Sequence, residues 1–461
     1  MKAAFFSSEV FPFAKTGGLA DVAGALPLAL GKLGVEVKVF MPLYKGITPQ
    51  SCNNNFGASS LAENVEVIFI KNDPYYLRDH LYNTPQGDYP DNLERFSFFC
   101  RKSLEALKEL DFKPDIIHCN DWQSALLPSY LKERKASDGF FKNARSLLTI
   151  HNLAFQGHFA FDKFKDLGLS AEVKEDLAIY GKLNFLKGGI ITADRVNTVS
   201  PSYAQEVQTK EFGCGLDHVL RTYSHKMSGI LNAIDYAVWD PAKDTSLPFP
   251  YSADSLNKKQ GNKVAFQKEL GLRTDPKAFL LGMVSRLTDQ KGVDILSQVL
   301  PKILKRHQVV ILGTGDPQYH VILQGLAEKY PQNLSLHIAF DETLAHKIYA
   351  CSDVFLLPSR FEPCGLSQMI SFKYATLPLV HATGGLKDTV VDYFRDKKNG
   401  CGFSFSVYSG RALLDTVAKA HSLFVKTRDW EVLQRRVAGL NFSWERAARE
   451  YLKLYEQMQQ A

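Results

Sequence analysis

Two phrases of the form Thr-Gly-Gly-Leu-x-Asp stand far apart in the sequence, in KTGGLADV at residues 15–22 and in TGGLKD at residues 383–388. In the first phrase, Gly17 and Gly18 separate an apolar run from a helical pattern. Adjacent glycines there let the backbone turn tightly and direct its N–H groups towards an anion. Lys15 adds a positive charge beside them. A phosphate site and a flexible turn with a solvated lysine both fit these residues.

A second segment, VSRLTDQKG at residues 284–292, also joins the end of an apolar run to a helical pattern. Arg286 and Lys291 would lie at the carboxyl edge of a strand, beside the positive end of the next helix. Two fixed cations and a helix dipole lower the energy of a pyrophosphate. Two solvated cations on a surface loop are the alternative, but the placement favours anion binding.

Polar residues follow two further apolar runs. Glu362 comes after DVFLLP, and CGL at residues 364–366 would open the next helix, so a carboxylate and free amides could meet sugar hydroxyls there. A carboxylate that only stabilises the helix start explains the same pattern. His151 and Asn152 end the run SLLTI, where a polar pair favours function over a hydrogen-bonded structural histidine.

Short apolar runs alternate with helical patterns in both halves of the chain, which predicts βαβ units and mainly parallel sheets. In the first half we predict strands at residues 2–6, 35–40, 65–70, 115–118, 146–150 and 195–199, and helices at residues 19–33, 92–110 and 121–134. In the second half we predict strands at residues 279–285, 308–312, 334–339, 353–357, 377–380 and 402–405, and a long final helix.

The alternation predicts an α/β protein with two facing, doubly wound domains. Residues 232–262 are rich in Pro, Asp, Ser and Asn and read as the connection between the domains. We expect one Rossmann-like domain over residues 1–240, a second over 241–442, and a helix over 443–461 that packs back towards the first. Ligands of such sheets bind outside the carboxyl ends of the strands.

Composition narrows the class of protein. The chain has 461 residues, a net charge of +6 and seven scattered cysteines with no C-x-x-C pair. The charge suits an anionic small substrate and falls short of nucleic-acid binding, and the cysteines indicate reduced thiols. Because there is no apolar run of membrane length and no signal-peptide pattern, we expect a cytoplasmic protein without a membrane partner.

Several catalytic motifs are missing from the sequence. There is no D-x-D pair, which is the usual metal clamp for a sugar nucleotide, and no P-loop, nucleophile elbow or H-E-x-x-H. Gly313 and Gly315 begin like a dinucleotide fingerprint, but Gln318 stands where the third glycine belongs. We therefore expect neither a metal nor a cofactor.

Taken together, the segments resemble the bacterial glycogen synthases and plant starch synthases. The resemblance runs in order through nearly the whole chain, in SSEVFPFAKTGGLADV, NDWQSAL, TIHNLAFQG, VSRLTDQKG, FDETLAHKIYACSDVFLLPSRFEPCGLSQM and TGGLKDTV. It implies a GT-B glycosyltransferase with two facing Rossmann-like domains and an active-site cleft between them. It also implies transfer of glucose from ADP-glucose to the non-reducing end of an α-1,4-glucan, with retention of configuration and without a metal.

The resemblance assigns roles to single residues. Arg286 and Lys291 match the pair that holds the diphosphate, Glu362 matches the glutamate that engages the glucosyl unit, and His151 matches the histidine beside it. These four are the predicted catalytic residues. The other predicted residues bind the substrates. On the donor side they are Lys15, Gly17, Gly18, Asp21, Asn152, Asn232 and Phe340, with the backbone amides of Cys364, Gly365 and Leu366 and the second amide-lined turn of Thr383, Gly384 and Gly385. On the glucan side they are Tyr89 and Asp121.

The sequence departs from the family at a few positions. Ala375 and His381 stand where the family usually shows Gly and Arg, and Ala233 where a Gly is usual. Ile370 stands where related retaining transferases carry a second carboxylate, which bacterial glycogen synthases also lack. Two alternatives stay open: a related enzyme that uses UDP-glucose or a smaller acceptor, and a catalytically silent glucan-binding protein.

Overall fold

The computed structural model describes residues 1–84 and 86–460, without the side chain of residue 136. The chain divides into two compact units. The N-terminal unit comprises Met1–Asn232 and the chain from Trp444 onward, and the C-terminal unit comprises Ala233–Ser443. No helix among the described residues is long and apolar enough to cross a membrane. All seven cysteines are free thiols.

The N-terminal unit is built on a nine-stranded sheet whose central strands are buried apolar runs. Its strands, with those of two smaller sheets, are β1 (Lys2–Phe6), β2 (Glu36–Pro42), β3 (Ser51–Cys52), β4 (Phe56–Ala62), β5 (Val65–Ile70), β6 (Asn83–Thr84), β7 (Gly87–Asp88), β8 (Ile116–Asn120), β9 (Arg145–Ile150), β10 (His158–Ala160), β11 (Ala178–Ile179), β12 (Lys182–Asn184), β13 (Arg195–Thr198) and β14 (Met227–Gly229).

The helices of this unit before residue 232 are α1 (Gly18–Lys32), α2 (Asp73–Tyr76), α3 (Asn92–Glu109), α4 (Asp121–Ser124), α5 (Leu127–Ser137), α6 (Lys174–Leu177), α7 (Phe185–Thr192), α8 (Pro201–Glu206) and α9 (Asp217–Thr222). The large sheet has the order β14-β13-β9-β8-β1-β2-β5-β4-β3 and is parallel from β14 to β5. The chain order reverses between β1 and β8, so their carboxyl ends flank a crevice where ligands of such sheets bind.

The C-terminal unit has a fully parallel sheet of six strands. These strands are β15 (Leu280–Val284), β16 (Gln308–Leu312), β17 (Leu334–His337), β18 (Val354–Leu357), β19 (Leu377–His381) and β20 (Phe403–Phe405), in the order β17-β16-β15-β18-β19-β20. Its helices are α10 (Asn257–Glu269), α11 (Val293–Ile303), α12 (Pro317–Lys329), α13 (Glu342–Cys351), α14 (Ser367–Lys373), α15 (Gly384–Thr389), α16 (Gly410–Phe424) and α17 (Thr427–Ala438). Here the order reverses between β15 and β18.

The predicted strands are confirmed, with ends that move by at most two residues. One predicted helix and the predicted connection need correction. The helix predicted over 121–134 is two helices, because Pro128 at the start of α5 has no N–H to continue the hydrogen bonding of α4. The irregular segment predicted over 232–262 ends earlier, since α10 begins at Asn257. The sequence also did not predict the antiparallel strands β3 and β4.

Polar burial explains why α10 escaped prediction. Its buried residues are the polar Lys259, Asn262, Lys263 and Gln267 and a single apolar side chain, Phe266. The Lys259 ammonium donates to the carbonyls of Ala350 and Tyr374, and burial lowers the pKa of this lysine to about 7. A helix that buries lysines shows little hydrophobic periodicity in its sequence.

The final helix, α18 (Trp444–Gln460), belongs to the N-terminal unit. The last residue of the predicted 443–461 helix lies outside the described residues. The buried face of α18 includes Tyr451 and Tyr455, which contact polar groups on the large sheet. The Tyr455 hydroxyl lies 2.7 Å from Nδ1 of His118 on β8, and Asn197 on β13 donates to the Tyr451 hydroxyl over 3.1 Å. Helix α18 therefore supplies hydrogen-bond partners to a buried polar side chain on each of two core strands.

Substitution of Tyr455 by Phe tests this attachment. His118 is fully buried, its pKa is held well below the usual range by that burial, and its Nε2 is engaged by Thr149 at 2.7 Å. The variant leaves Nδ1 of a buried ring without its partner, which costs about 1–3 kcal/mol. Because a chain of two units need not unfold in one step, hydrogen exchange of the β8 and β9 amides is the measurement.

We expect faster exchange of those amides in Tyr455→Phe and no change in Gln457→Ala, an exposed position of the same helix. Equal protection in both variants would show that the hydroxyl does not attach α18 to the sheet.

Candidate active site

A cavity of about 160 Å³ opens at the point where the strand order of the C-terminal sheet reverses. It lies beyond the carboxyl ends of β15 and β18, which are neighbours in the sheet. Its lining includes Lys291, Ser359, Glu362, Gly365 and Leu366. The structure thus brings four of the predicted site residues, Lys291, Glu362, Gly365 and Leu366, to one cavity at the position expected for a ligand.

An ion pair links the two loops that form this cavity. The Lys291 ammonium, on the loop after β15, lies 2.6 Å from Oε2 of Glu362, on the loop after β18. The Ser359 hydroxyl donates to the same oxygen over 3.1 Å. The Glu362 side chain is only 8% exposed and that of Lys291 is 19% exposed, so each buried charge has its counter-charge at hand. Glu362 is thus an ion-pair partner as well as a candidate for contact with sugar.

Close backbone contact holds the same two loops together. Gly292 has φ +76°, and a Cβ at this position would lie 2.0 Å from the carbonyl oxygen of Pro358. The Arg360 N–H donates to the Gln290 carbonyl over 2.9 Å. Arg286 lies on the outer part of the first loop, where its exposed guanidinium donates to the Gln290 side chain. This cation is therefore accessible to a ligand.

The second Thr-Gly-Gly phrase packs against the back of the Glu362 loop. Gly384 has φ +45°, and a Cβ there would lie 1.9 Å from the Glu362 carbonyl oxygen. The Gly385 N–H donates to that carbonyl over 3.1 Å, and Thr383 is buried. The prediction of an amide-lined turn for a ligand is wrong for the Gly385 amide, because this amide holds the backbone of Glu362.

The remaining predicted residues of this unit lie at the carboxyl ends of neighbouring strands. Cys364 is buried, and Gly365, at φ +75°, leads into α14. Phe340, in the connection that follows β17, is 90% exposed. His381 ends β19 and donates from Nδ1 to the Ser359 carbonyl over 2.8 Å, so it supports the Glu362 loop from behind.

Another departure from the family has a visible backbone consequence. Ala375 is buried and has φ +51°, a conformation that glycine adopts freely and alanine does not. The glycine usual in the family would fit this position without strain. The structure shows no consequence of Ala233 beyond its burial.

In the N-terminal unit, polar residues gather beyond the ends of β8 and β9. Asp121 has φ +54°, and its Oδ1 accepts from the N–H groups of His151 and Asn152 over 2.7 and 3.4 Å. The Asn120 side chain donates to the Phe6 carbonyl, so its Oδ1 is free to accept from Nε2 of His151 over 2.8 Å. These bonds fix the imidazole ring and leave Nδ1 as its accepting nitrogen.

Burial sets the charge of both side chains. It lowers the pKa of His151 to about 3, so this imidazole is neutral at neutral pH. It raises the pKa of Asp121 to about 7, against the smaller opposing effect of the two N–H donors. His151 therefore suits hydrogen bonding and not proton release, while Asp121 changes charge near neutral pH.

The first Thr-Gly-Gly phrase does not present its leading amides to a ligand. The N–H groups of Thr16 and Gly17 both donate to Oε2 of Glu9, the second of them over 3.2 Å. Lys15 pairs with Asp21 at 2.7 Å, and Gly18 is the first residue of α1. The expectation that the Gly17 amide faces an external anion is wrong, because this amide donates to Glu9, while the expectation for the Gly18 amide stays a prediction.

Sequence reasoning missed Glu9. Its only signal was a carboxylate that interrupts the apolar run AAFFSSEVF just before a glycine turn. Two other predicted residues, Tyr89 and Asn232, have different surroundings. The Tyr89 ring lies 4.7 and 4.9 Å from the guanidinium carbons of Arg78 and Arg95. Oδ1 of Asn232 is buried with no hydrogen-bond partner among the residues that the structure describes.

Within residues 1–84 and 86–460, no group of three or more His, Cys, Asp or Glu side chains is arranged to hold a metal ion. Each unit has one ion pair among its predicted site residues, Lys291 with Glu362 in the C-terminal unit and Lys15 with Asp21 in the N-terminal unit.

Comparisons with known proteins identify the family of the chain. Residues 2–222 match the family model of the starch synthase catalytic domain, and residues 265–430 match that of the glycosyl transferases group 1. The glycogen synthase of Geotalea uraniireducens (strain Rf4) is 44% identical over 475 residues, covering 99% of this chain and 98% of the relative. The glycogen synthase of Thermotoga maritima is 43% identical over 478 residues, with the same coverage.

Solved structures give the same answer for the fold. The catalytic domain of starch synthase IV from Arabidopsis thaliana, bound to ADP and acarbose, superimposes with a TM-score of 0.90 at 32% identity, covering 100% of this chain and 99% of that one. A sucrose-phosphate synthase from Thermosynechococcus elongatus shares the fold at a TM-score of 0.63 and 19% identity, over 99% and 98% of the two chains. The GT-B fold is thereby confirmed, and the chain belongs to the glycogen and starch synthase family of glycosyltransferases.

Proposed function

We propose that this protein transfers glucose from ADP-glucose to the non-reducing end of an α-1,4-glucan with retention of configuration. The observation that carries the proposal is the Lys291–Glu362 pair at 2.6 Å in the cavity at the strand-order reversal, with the accessible cation of Arg286 on the adjoining loop. The related starch synthase IV structure holds ADP and acarbose, which supports an adenine nucleotide and a glucan as the substrates here.

Arg286 and Lys291 are assigned to the diphosphate of the donor. A diphosphate carries more negative charge than Glu362, so it competes for the Lys291 ammonium when it binds. Glu362 is then released from Lys291 and accepts a hydrogen bond from a hydroxyl of the glucosyl unit. The backbone of Cys364, Gly365 and Leu366 is assigned to the same sugar.

Within the N-terminal unit, His151 is assigned to the glucosyl unit and Asn152 to its neighbourhood. The neutral imidazole is fixed through Nε2, and its Nδ1 accepts a hydrogen bond from a sugar hydroxyl. Lys15 and Gly18 are assigned to the donor phosphates, with Lys15 as the charged contact. Asp21 is assigned to the donor, and Gly17 to the turn that carries Lys15. Asp121 and Tyr89 are assigned to the glucan, Asn232 and Phe340 to the donor, and Thr383, Gly384 and Gly385 to support of the Glu362 loop.

The proposed chemistry is a displacement on one face of the sugar. The 4-hydroxyl of the glucan end forms a bond to the anomeric carbon as the bond from that carbon to the phosphate oxygen breaks. The bonding electrons leave with ADP, and the departing phosphate oxygen accepts the hydroxyl proton. Arg286 and Lys291 stabilise the charge that develops on the diphosphate. No separate metal is needed in this scheme.

Lys291→Ala tests the assignment of the leaving-group cation. We expect kcat with ADP-glucose to fall about 30- to 1,000-fold, which corresponds to about 2–4 kcal/mol of barrier, as for loss of one oxyanion-hole donor. Steady-state release of ADP in the presence of glycogen is the measurement. Lys302→Ala, an exposed lysine in α11, is the matched control and should keep wild-type kcat. Wild-type turnover in Lys291→Ala would refute the assignment.

Donor choice and metal dependence can be measured together. Radiolabel transfer into glycogen from ADP-glucose should exceed transfer from UDP-glucose, and a chelator should leave both rates unchanged, since fixed cations neutralise the diphosphate. Faster transfer from UDP-glucose would favour the alternative donor. Inactivity without an added divalent ion would contradict the metal-free scheme, and glycogen binding without nucleotide release would indicate a glucan-binding protein.

The pH dependence of kcat/KM for the glucan should follow Asp121 and not His151. Because the pKa of Asp121 is raised to about 7, its carboxyl group ionises as the pH rises through 7. The ionised group then accepts a stronger hydrogen bond from a glucan hydroxyl. We expect kcat/KM to rise across this range in the wild type and to be flat in Asp121→Asn, whose Oδ1 still accepts the His151 N–H. His151, with a pKa of about 3, adds no inflection between pH 5 and 9. A rise of unchanged size in Asp121→Asn would contradict the assignment.

A further inference from the structure

Glu9 is a buried carboxylate in the connection between β1 and α1, 4% exposed. Its Oε1 accepts from the hydroxyls of Thr16 and Tyr82 over 2.6 and 2.7 Å. Its Oε2 accepts from the N–H groups of Thr16 and Gly17. Four donors on two chain segments therefore converge on one charged side chain, and bonds to a charged acceptor are stronger than neutral ones.

The turn that carries Lys15 depends on this carboxylate for its conformation. A Cβ at Gly17 would have no neighbouring atom within 4 Å, so close packing does not hold the turn at this residue. The three bonds from Thr16 and Gly17 to Glu9 restrain the residues next to Lys15 instead. The Lys15 side chain, 43% exposed, then reaches Asp21 in the first turn of α1. Glu9 thus fixes the backbone from which the Lys15 ammonium projects.

The same carboxylate connects the turn to the segment assigned to the glucan. Besides Glu9, the Tyr82 hydroxyl contacts the Ser8 hydroxyl at 2.7 Å. The Tyr82 carbonyl accepts from the Tyr89 N–H over 3.0 Å and from the Asn92 side chain over 2.9 Å. Burial holds the pKa of Tyr82 well above its usual range, so its hydroxyl stays protonated and remains a donor.

We infer that Glu9 is a positioning residue of the transfer reaction, which acts through Lys15 and is itself held by Tyr82. Its carboxylate takes the place that an external anion would occupy in the amide turn, so the turn contributes the Lys15 ammonium to the donor and not its first two amides. This inference rests on the proposed function only in that Lys15 contacts the donor.

A double-mutant cycle tests the inference. Tyr82→Phe removes one hydroxyl donor and leaves the ring packed near Phe96, with ring centres 6.0 Å apart. Loss of a hydrogen bond to a charged group should lower kcat/KM for ADP-glucose about 10-fold. In a Lys15→Ala background the same substitution should lower it less than about twofold, because the residue through which it acts is gone. Tyr223→Phe, a hydroxyl elsewhere in the N-terminal unit, is the matched control and should have no effect in either background.

Equal fold-losses in the two backgrounds would show that Tyr82 acts on the unit as a whole and would overturn the inference. Failure of the proposed function gives a different result, since the wild type itself would then transfer no glucose from either donor.

A second measurement does not depend on activity. Hydrogen exchange of the Thr16 and Gly17 amides should accelerate at least about 10-fold in Glu9→Gln, whose side-chain amide lacks one of the two accepting oxygens, while the β1 amides keep wild-type protection. Unchanged exchange at residues 16 and 17 would overturn the inference even if activity fell. Acceleration that extends equally to β1 would show general loosening of the unit and would overturn it as well.

Discussion

The ion pair between Lys291 and Glu362 is the interaction on which the candidate site depends. A carboxylate as buried as Glu362 is costly without a counter-charge, and the loop of Lys291 supplies one. The pair also defines how the two loops face each other, because each partner follows a different strand. A ligand that offers a stronger anion to Lys291 and hydroxyl groups to Glu362 can replace this contact with two new ones. A nucleotide sugar has both kinds of group.

The backbone around this pair leaves little room for variation. A Cβ at Gly292 or Gly384 would lie within 2.0 Å of a carbonyl oxygen, at Pro358 and Glu362 respectively. Glycine at these positions therefore lets three loops of the sheet edge approach one another at backbone distance. Loops in such close contact fix the backbone from which the Lys291 and Glu362 side chains project.

The sequence predicted those features that follow from apolar periodicity and from strand ends. The parallel strands, the strand-end positions of Arg286, Lys291 and His151, and the fold class all follow from short buried runs with polar residues after them. The start of α10 did not, because that helix buries Lys259 and Lys263. The role of Glu9 was not visible either, since a carboxylate that binds the amides of its own chain leaves no periodic pattern. The second Thr-Gly-Gly phrase supports Glu362 from behind, and only three-dimensional contact reveals that.

The return of α18 to the first unit has a consequence for biosynthesis. A ribosome makes β8 and β13 early but adds Tyr451 and Tyr455 among the last residues of the described chain, after the whole second unit. Until then His118 and Asn197 lack the tyrosine hydroxyls that they bond in the folded protein. The N-terminal unit thus stays incomplete while the second unit is synthesised, and its consolidation follows the synthesis of α18.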